Sequence, residues 1–305
     1  MKKFAYILVV IAATGWGMSG IAGQKLFDAG LDPFTVIWYR TAVAMIVLTA
    51  GIFSIKREWL KIKFKDIPAL ASFGIISVGL FYITYFNAIN EIGVAMAVIL
   101  MYTSPAFVVI ISRLKFGEML NTWKIIGLIV TLCGCFLVLE GYNLEVVRLN
   151  LPGVLFGLGA GFTFGMYSVF GKVVSSYPAG TVIFYNQLFG FFLLTFFFNP
   201  LSISPLSFDF SIWGLLIFLG IVSTILAYSC YNIALKYLHA GQASIVTTVE
   251  PVIAVLLAYL ILGEILGTLQ ILGAVLIILA VIMVKFWGHS KEAIDRDVKQ
   301  SWLAK

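Results

Sequence analysis

The sequence predicts an all-α integral membrane protein in which ten transmembrane helices form two inverted five-helix repeats. Three observations carry that expectation. Of the 305 residues, 61% are hydrophobic and 11% charged, whereas a soluble globular domain is about 45 to 50% apolar and about 25% charged. Ten windows approach the roughly 20 apolar residues needed to cross about 30 Å of hydrocarbon. The chain also matches itself at a shift of 146 residues, with 18 identities among the 54 positions from Gly74 to Gly127.

The first window, about 4–25, follows Met1-Lys2-Lys3. That start has the outline of a signal peptide, but nine further segments and the lack of a clear small-residue cleavage site favour a retained first helix. The second, about 34–55, contains Arg40, the one basic residue well inside an apolar run, and its "TVIWYRTAVAMIVLT" lies over "TVIFYNQLFGFFLLT" of the seventh, about 181–199. The third, about 67–88, and the eighth, about 211–235, pair as "GIISVGLFYITYFNA" and "GIVSTILAYSCYNIA". Tyr82 with Tyr85, and Tyr228 with Tyr231, are three apart and share a helical face. The fourth, about 93–113, and the ninth, about 240–262, both contain a proline, Pro105 and Pro251. The fifth, about 124–140, is short, and Gly127 aligns it with Gly273 of the tenth, about 268–286. The sixth, about 152–172, sets Gly153, Gly157, Gly161 and Gly165 at four-residue intervals, a ridge that lets another helix approach closely.

Cytoplasmic loops are enriched in Lys and Arg. An N-terminus inside puts 17 of the 20 basic residues on the cytoplasmic side, with only Lys25 and Arg148 outside and Arg40 within a helix. Both termini are therefore expected to be cytoplasmic, in a multi-pass protein of the cell membrane. The +6 net charge follows from these basic loops beside lipid and implies no nucleic-acid partner. The halves are expected at 1–141 and 142–287, with a cytoplasmic tail at 288–305 that lies on the inner membrane surface or stays disordered. Five helices per half is an odd number, so the second half enters the membrane from the opposite side, an arrangement found in secondary transporters with a substrate site near the midplane.

The stretches "WGMSGIAGQKLFDAGLDPFTVIWYR", "TSPAFVVIISRLKFGE" and "EPVIAVLLAYLILGEILGTLQILG" resemble the paired EamA-type repeats of the drug/metabolite transporter superfamily, over about residues 5–287. The resemblance implies ten helices, cytoplasmic termini, no nucleotide hydrolysis, and a central cavity formed mainly by helices 1, 3, 4, 6, 8 and 9. It also implies transport of amino acids and other small metabolites, commonly outward.

Glu250 is the eleventh residue of the ninth window and sits near the membrane centre, where a charged residue costs about 2.5 to 3.5 kcal/mol. A carboxyl there that takes and releases a proton suits a proton-coupled carrier; a structural carboxyl tied to Arg or backbone is the alternative. Its counterpart in the first half is Ser104. Pro251 removes the helical partner of the Thr247 carbonyl and Pro105 that of the Met101 carbonyl, so both prolines are candidate hinges or cavity elements, against a plain packing kink. Depth alone lets Arg40 approach Glu250, directly or through substrate, or snorkel to the outer interface. Aromatic and polar residues gather in the implied central helices: Trp16, Ser19, Tyr82, Tyr85, Tyr102, Ser104, Tyr167, Tyr228, Tyr231 and Thr247. Phenols with apolar bodies suit an amphipathic organic solute, although interface belts use the same residues. Glu118, duplicated as Glu264 before a helix start, reads as structural.

No cofactor or metal is expected. "GMYSVFGKV" at 165–173 has five residues between glycines and Val173 in place of Ser or Thr, so it fails as a phosphate loop. Cys133, Cys135 and Cys230 lie in apolar segments without a nearby histidine and are expected to pack. No convergent nucleophile and base support an intramembrane enzyme. The expectation is a secondary active exporter of small organic metabolites, such as amino acids or amphipathic compounds, by alternating access with proton coupling. An uncoupled facilitator, and a subunit that only assembles with partners, are the alternatives.

Overall fold

The computed structural model describes residues 2–143, 150–197, 208–263 and 265–287. The 288–305 tail, Arg148 and Glu264 lie outside these. Among the described residues there is no β-strand, and eight helical runs are long and apolar enough to cross a membrane, with a shorter apolar helix at Thr122–Val138.

Helices α1 (Lys2–Asp28) and α2 (Pro33–Ile55) are separated by a tight turn. Asp32 caps α2, its carboxylate accepting from the Thr35 amide at 3.0 Å and from the Thr35 hydroxyl, with Pro33 in the first turn, where its missing N–H costs nothing. The run Phe64–Met101 is 38 residues, about 57 Å at 1.5 Å per residue and too long for one crossing. Gly93, at φ 80° and ψ 165°, divides it in a conformation open to a residue without Cβ. The two parts are α3 (67–92) and α4 (94–116). Then follow α5 (Thr122–Val138), α6 (Leu151–Val173), α7 (Ala179–Phe197), α8 (Phe210–Leu235), α9 (240–262) and α10 (Thr268–Trp287). Asn121, Asn150 and Asp209 cap α5, α6 and α8, accepting from the amides of Lys124, Gly153 and Ile212.

The duplication reappears in the irregularities. A π-helical segment interrupts α3 at Ile75–Leu80 and α8 at Leu219–Leu226, and the 146-residue shift lays one over the other. Helix α4 breaks after Met101 and resumes at Ser104, and α9 breaks after Thr247 and resumes at Val249. The two carbonyls that Pro105 and Pro251 deprive of a partner thus belong to the last residues of the first half-helices. Threonine hydroxyls close each break, Thr103 Oγ1 donating to the Leu100 carbonyl and Thr248 Oγ1 to the Ile245 carbonyl, both at 2.6 Å.

Packing repeats too: α1 lies against α8 and α9 as α6 lies against α3 and α4, α2 packs on the π segment of α8 as α7 does on that of α3, and α5 pairs with α10. The glycine ridge of α6 makes one of these contacts. A Cβ on Gly161 would stand 2.7 Å from the Leu100 carbonyl and Thr103 Oγ1, and one on Gly165 3.0 Å from the Ser104 carbonyl. The same role in α1 falls to Gly17, whose Cβ would stand 3.1 Å from the Glu250 carbonyl. Because Ser104 and Glu250 correspond, Gly17 and Gly165 correspond, which sets an offset of 148 between α1 and α6 and pairs Trp16 with Phe164.

Gly161→Val should therefore cost about 1 to 3 kcal/mol through overpacking and lower the melting temperature in detergent. Gly214→Ala, with open space around the new Cβ, should leave it unchanged or raise it through helix propensity.

Candidate substrate-binding site

A cavity of about 310 Å³ lies between α1, α2, α3, α4, α6, α8 and α9, a volume in the range of small-molecule sites. Its wall is largely apolar, with Ile37, Phe81, Phe86, Phe164 and Leu219, and its polar points are Ser19, Arg40, Tyr82, Tyr85, Tyr228 and Glu250. The lining reaches Phe27, Pro33 and Val94, at the α1–α2 and α3–α4 turns.

At the other end an aromatic floor closes it. The Trp16 ring lies 5.0 Å from that of Tyr228 and 5.4 Å from that of Tyr231, and the Tyr167 ring 4.7 Å from Tyr228 and from Phe73. Tyr231 and Ser168 share a 2.6 Å hydrogen bond, and Asn232 Nδ2 donates to the Tyr167 hydroxyl at 2.7 Å. Beneath the floor is a space of about 20 Å³ lined by Ser104, Tyr167, Tyr231 and Thr247. Deeper still, Lys172 Nζ donates to the carbonyls of Leu235 and Leu238 at 2.7 and 2.8 Å. A cation there meets carbonyls left over at a helix end. The buried Glu118 accepts from the Ala240 amide at 2.9 Å, capping α9, with His239 Nδ1 at 3.7 Å.

Two side chains of opposite charge face the cavity. Arg40 reaches across to Thr224 Oγ1, 3.0 Å from Nη2 and 3.3 Å from Nε, and Thr224 in turn donates to the Leu219 carbonyl five residues back, in the widened π segment. Glu250 is half-buried, and its Oε2 is buried without a hydrogen-bond partner. No hydrogen bond joins Arg40 to Glu250. In the other half Arg40 corresponds to Asn186, which donates to Ser77 Oγ at 3.1 Å, while Ser77 donates to the Phe73 carbonyl at 2.6 Å. A similar junction without charge is thus made one residue out of register, at Ser77, which corresponds to Ser223 rather than Thr224, and Ser104 stands where Glu250 does.

The EamA-like transporter family matches residues 3–140 and again residues 151–286. The chain belongs to that family. An uncharacterized transporter of Archaeoglobus fulgidus is 28% identical over 289 residues, covering 93% of this chain and 99% of its own. One of Clostridium kluyveri is 27% identical over 313 residues, covering 97% and 96%. The uncharacterized inner membrane transporter YicL of Salmonella typhimurium is 25% identical over 289 residues, covering 88% and 93%. A solved crystal structure superposes with a TM-score of 0.78 at 19% identity over 92% of this chain and 96% of that one, a likeness of fold. The protein is a multi-pass membrane transporter and not an enzyme.

Within this EamA-like transporter, the candidates read from the sequence divide into three groups. Trp16, Ser19, Arg40, Tyr82, Tyr85, Tyr228 and Glu250 line the cavity. Ser104, Tyr167, Tyr231 and Thr247 lie at or below the floor. Tyr102, Pro105 and Pro251 are buried outside both linings, at the helix breaks. The apolar wall and Thr224 escaped sequence reading. Phe164 could have been found from the offset that pairs it with Trp16; a threonine in an apolar run gives no comparable signal. Among the described residues no three metal-binding side chains cluster.

Removing the Tyr231–Ser168 bond by Tyr231→Phe should cost about 0.5 to 1.5 kcal/mol of stability. In a double-mutant cycle with Ser168→Ala, the two losses should be less than additive in thermal unfolding.

Proposed function

We propose that this EamA-like transporter is a proton-coupled secondary exporter of small organic metabolites, such as amino acids or amphipathic compounds, working by alternating access. In this reading ten helices cross the cell membrane as two inverted repeats, 1–141 and 142–287, with residues 288–305 and the N-terminus in the cytoplasm. The basic residues around Lys56–Lys65 and the duplicated breaks and π segments support it.

The observation that carries the proposal is the pair of opposed charges on one aromatic cavity, at positions that are neutral in the other half. An amphipathic solute lays its apolar body on Tyr82, Tyr85 and Phe81. An anionic group meets the Arg40 guanidinium, which Thr224 holds in place, and a cationic group meets Glu250. Glu250 serves solute and proton in turn: it releases its proton when a solute cation arrives and recovers one after the solute leaves. Strict alternation of the two links their gradients. With the N-terminus inside, the cavity described above opens outward and its floor seals the cytoplasmic side, the state that releases an exported solute. Pro105 and Pro251, at matching breaks, are the hinges, and the residues of the small lower space become accessible when the floor parts.

In proteoliposomes screened with amino acids, nucleosides and amphipathic drugs, Glu250→Gln should abolish accumulation driven by a pH gradient while solute exchange continues. Accumulation that survives in this variant at every pH would leave an uncoupled carrier. Arg40→Gln should raise the KM for an anionic or zwitterionic solute by about ten- to a hundredfold, the loss of a charged hydrogen bond.

A further inference from the structure

Helix α1 has a second concave face, turned away from the cavity. Between it and α8 and α9 lies a groove of about 190 Å³, lined by Met18, Ile21, Ala22, Phe218 and Leu257, with the exposed Lys25 at its rim. Ile261, also in the lining, is 55% exposed, so the groove opens to the lipid.

The internal duplication supplies a control. The 148 offset carries Met18, Ile21 and Ala22 onto Met166, Val169 and Phe170, and the 146 offset carries Leu257 and Ile261 onto Ile111 and Lys115. In that half the same space is filled from within: Phe170 packs with Met166, Val169 and Ile111, and Lys115 Nζ sits 5.8 Å over its ring. The position that supplies the plug in one half is alanine in the other, and the volume it leaves is open. A void of this size forfeits dispersion contacts along its whole lining, and in a bilayer the material at hand to fill it is an acyl chain. Lys25 adds a charge at the end of the groove where α1 reaches its last turn, the depth of lipid headgroups.

We propose that this groove is a phospholipid site, holding one acyl chain over Ala22 with the anionic phosphate of the headgroup on the Lys25 ammonium. The three helices that form it also supply Ser19, Tyr228 and Glu250 to the cavity, so a bound lipid buttresses the back of the substrate wall.

The test titrates delipidated full-length protein with dioleoylphosphatidylglycerol and with dioleoylglycerol, which has the same chains and no phosphate, and counts adducts by native mass spectrometry. Wild type should bind one phosphatidylglycerol more tightly than the remainder. Ala22→Phe, which installs the plug of the other half, should lose that molecule, as should Ile261→Trp, which fills the groove from its exposed rim should the first variant fold poorly. Lys25→Gln should bind it about fivefold more weakly and discriminate less between the two lipids. Undiminished binding in the groove-filling variant that folds would overturn the site; equal binding of both lipids by wild type would overturn the role of Lys25.

Discussion

In a bilayer core no water is present to take up a backbone donor or acceptor that lacks a partner. The architecture follows from that constraint, because among the described residues the apolar helices depart from regular α-helix at five places, three π segments and two breaks. At the breaks, threonine hydroxyls turn back to carbonyls one turn earlier. In the π segments of α3 and α8, Ser77 and Thr224 do the same. The two breaks lie in the interior, where the glycines of α1 and α6 press against them, whereas the π segment at Ala258–Leu262 is exposed at Tyr259, Leu260 and Ile261.

Those repairs also determine where polarity can reside. A hydroxyl that bonds its own backbone still has lone pairs to offer a neighbour, and the neighbour comes from the packed helix of the opposite half. Thr224 receives Arg40 and Ser77 receives Asn186. The scaffold therefore provides two similar polar junctions, one residue out of register between the halves, of which only one carries charge. Glu250 replaces Ser104 in the same manner, adding a carboxyl to a helix break that is stable without one. Charge is a local addition to a neutral framework, which separates what holds the fold from what the cavity can bind.

The repeat, the proline breaks and most polar points of the cavity were legible in the sequence because identity at a fixed shift survives even in apolar strings. Tyr82, Tyr85 and Tyr228 could be assigned to one face each from their spacing, and they line the cavity. Spacing alone did not separate Tyr231 and Tyr167 from them: a tyrosine one turn deeper passes from wall to floor, and that depends on which helix opposes it. Tyr102 shows the same limit, since a residue at a helix break is rotated away from where an unbroken helix would point it. The glycine at 93 was placed at a helix start; its positive φ instead makes it the corner between two helices that run almost without interruption. Apolar helices have no polar side from which rotation can be read, so packing partners decide it.

The floor has a mechanical character that follows from its lower bonds. Lys172 on α6 holds two carbonyls of the 235–240 segment, and Glu118, from the turn after α4, holds the amide of Ala240 in the same segment. Six residues are thus held at both ends, from α6 and from the turn after α4. Moving α6 strains the two Lys172 bonds and moving the end of α4 strains the Glu118 bond, so neither neighbour shifts without dragging this segment or breaking a contact to it.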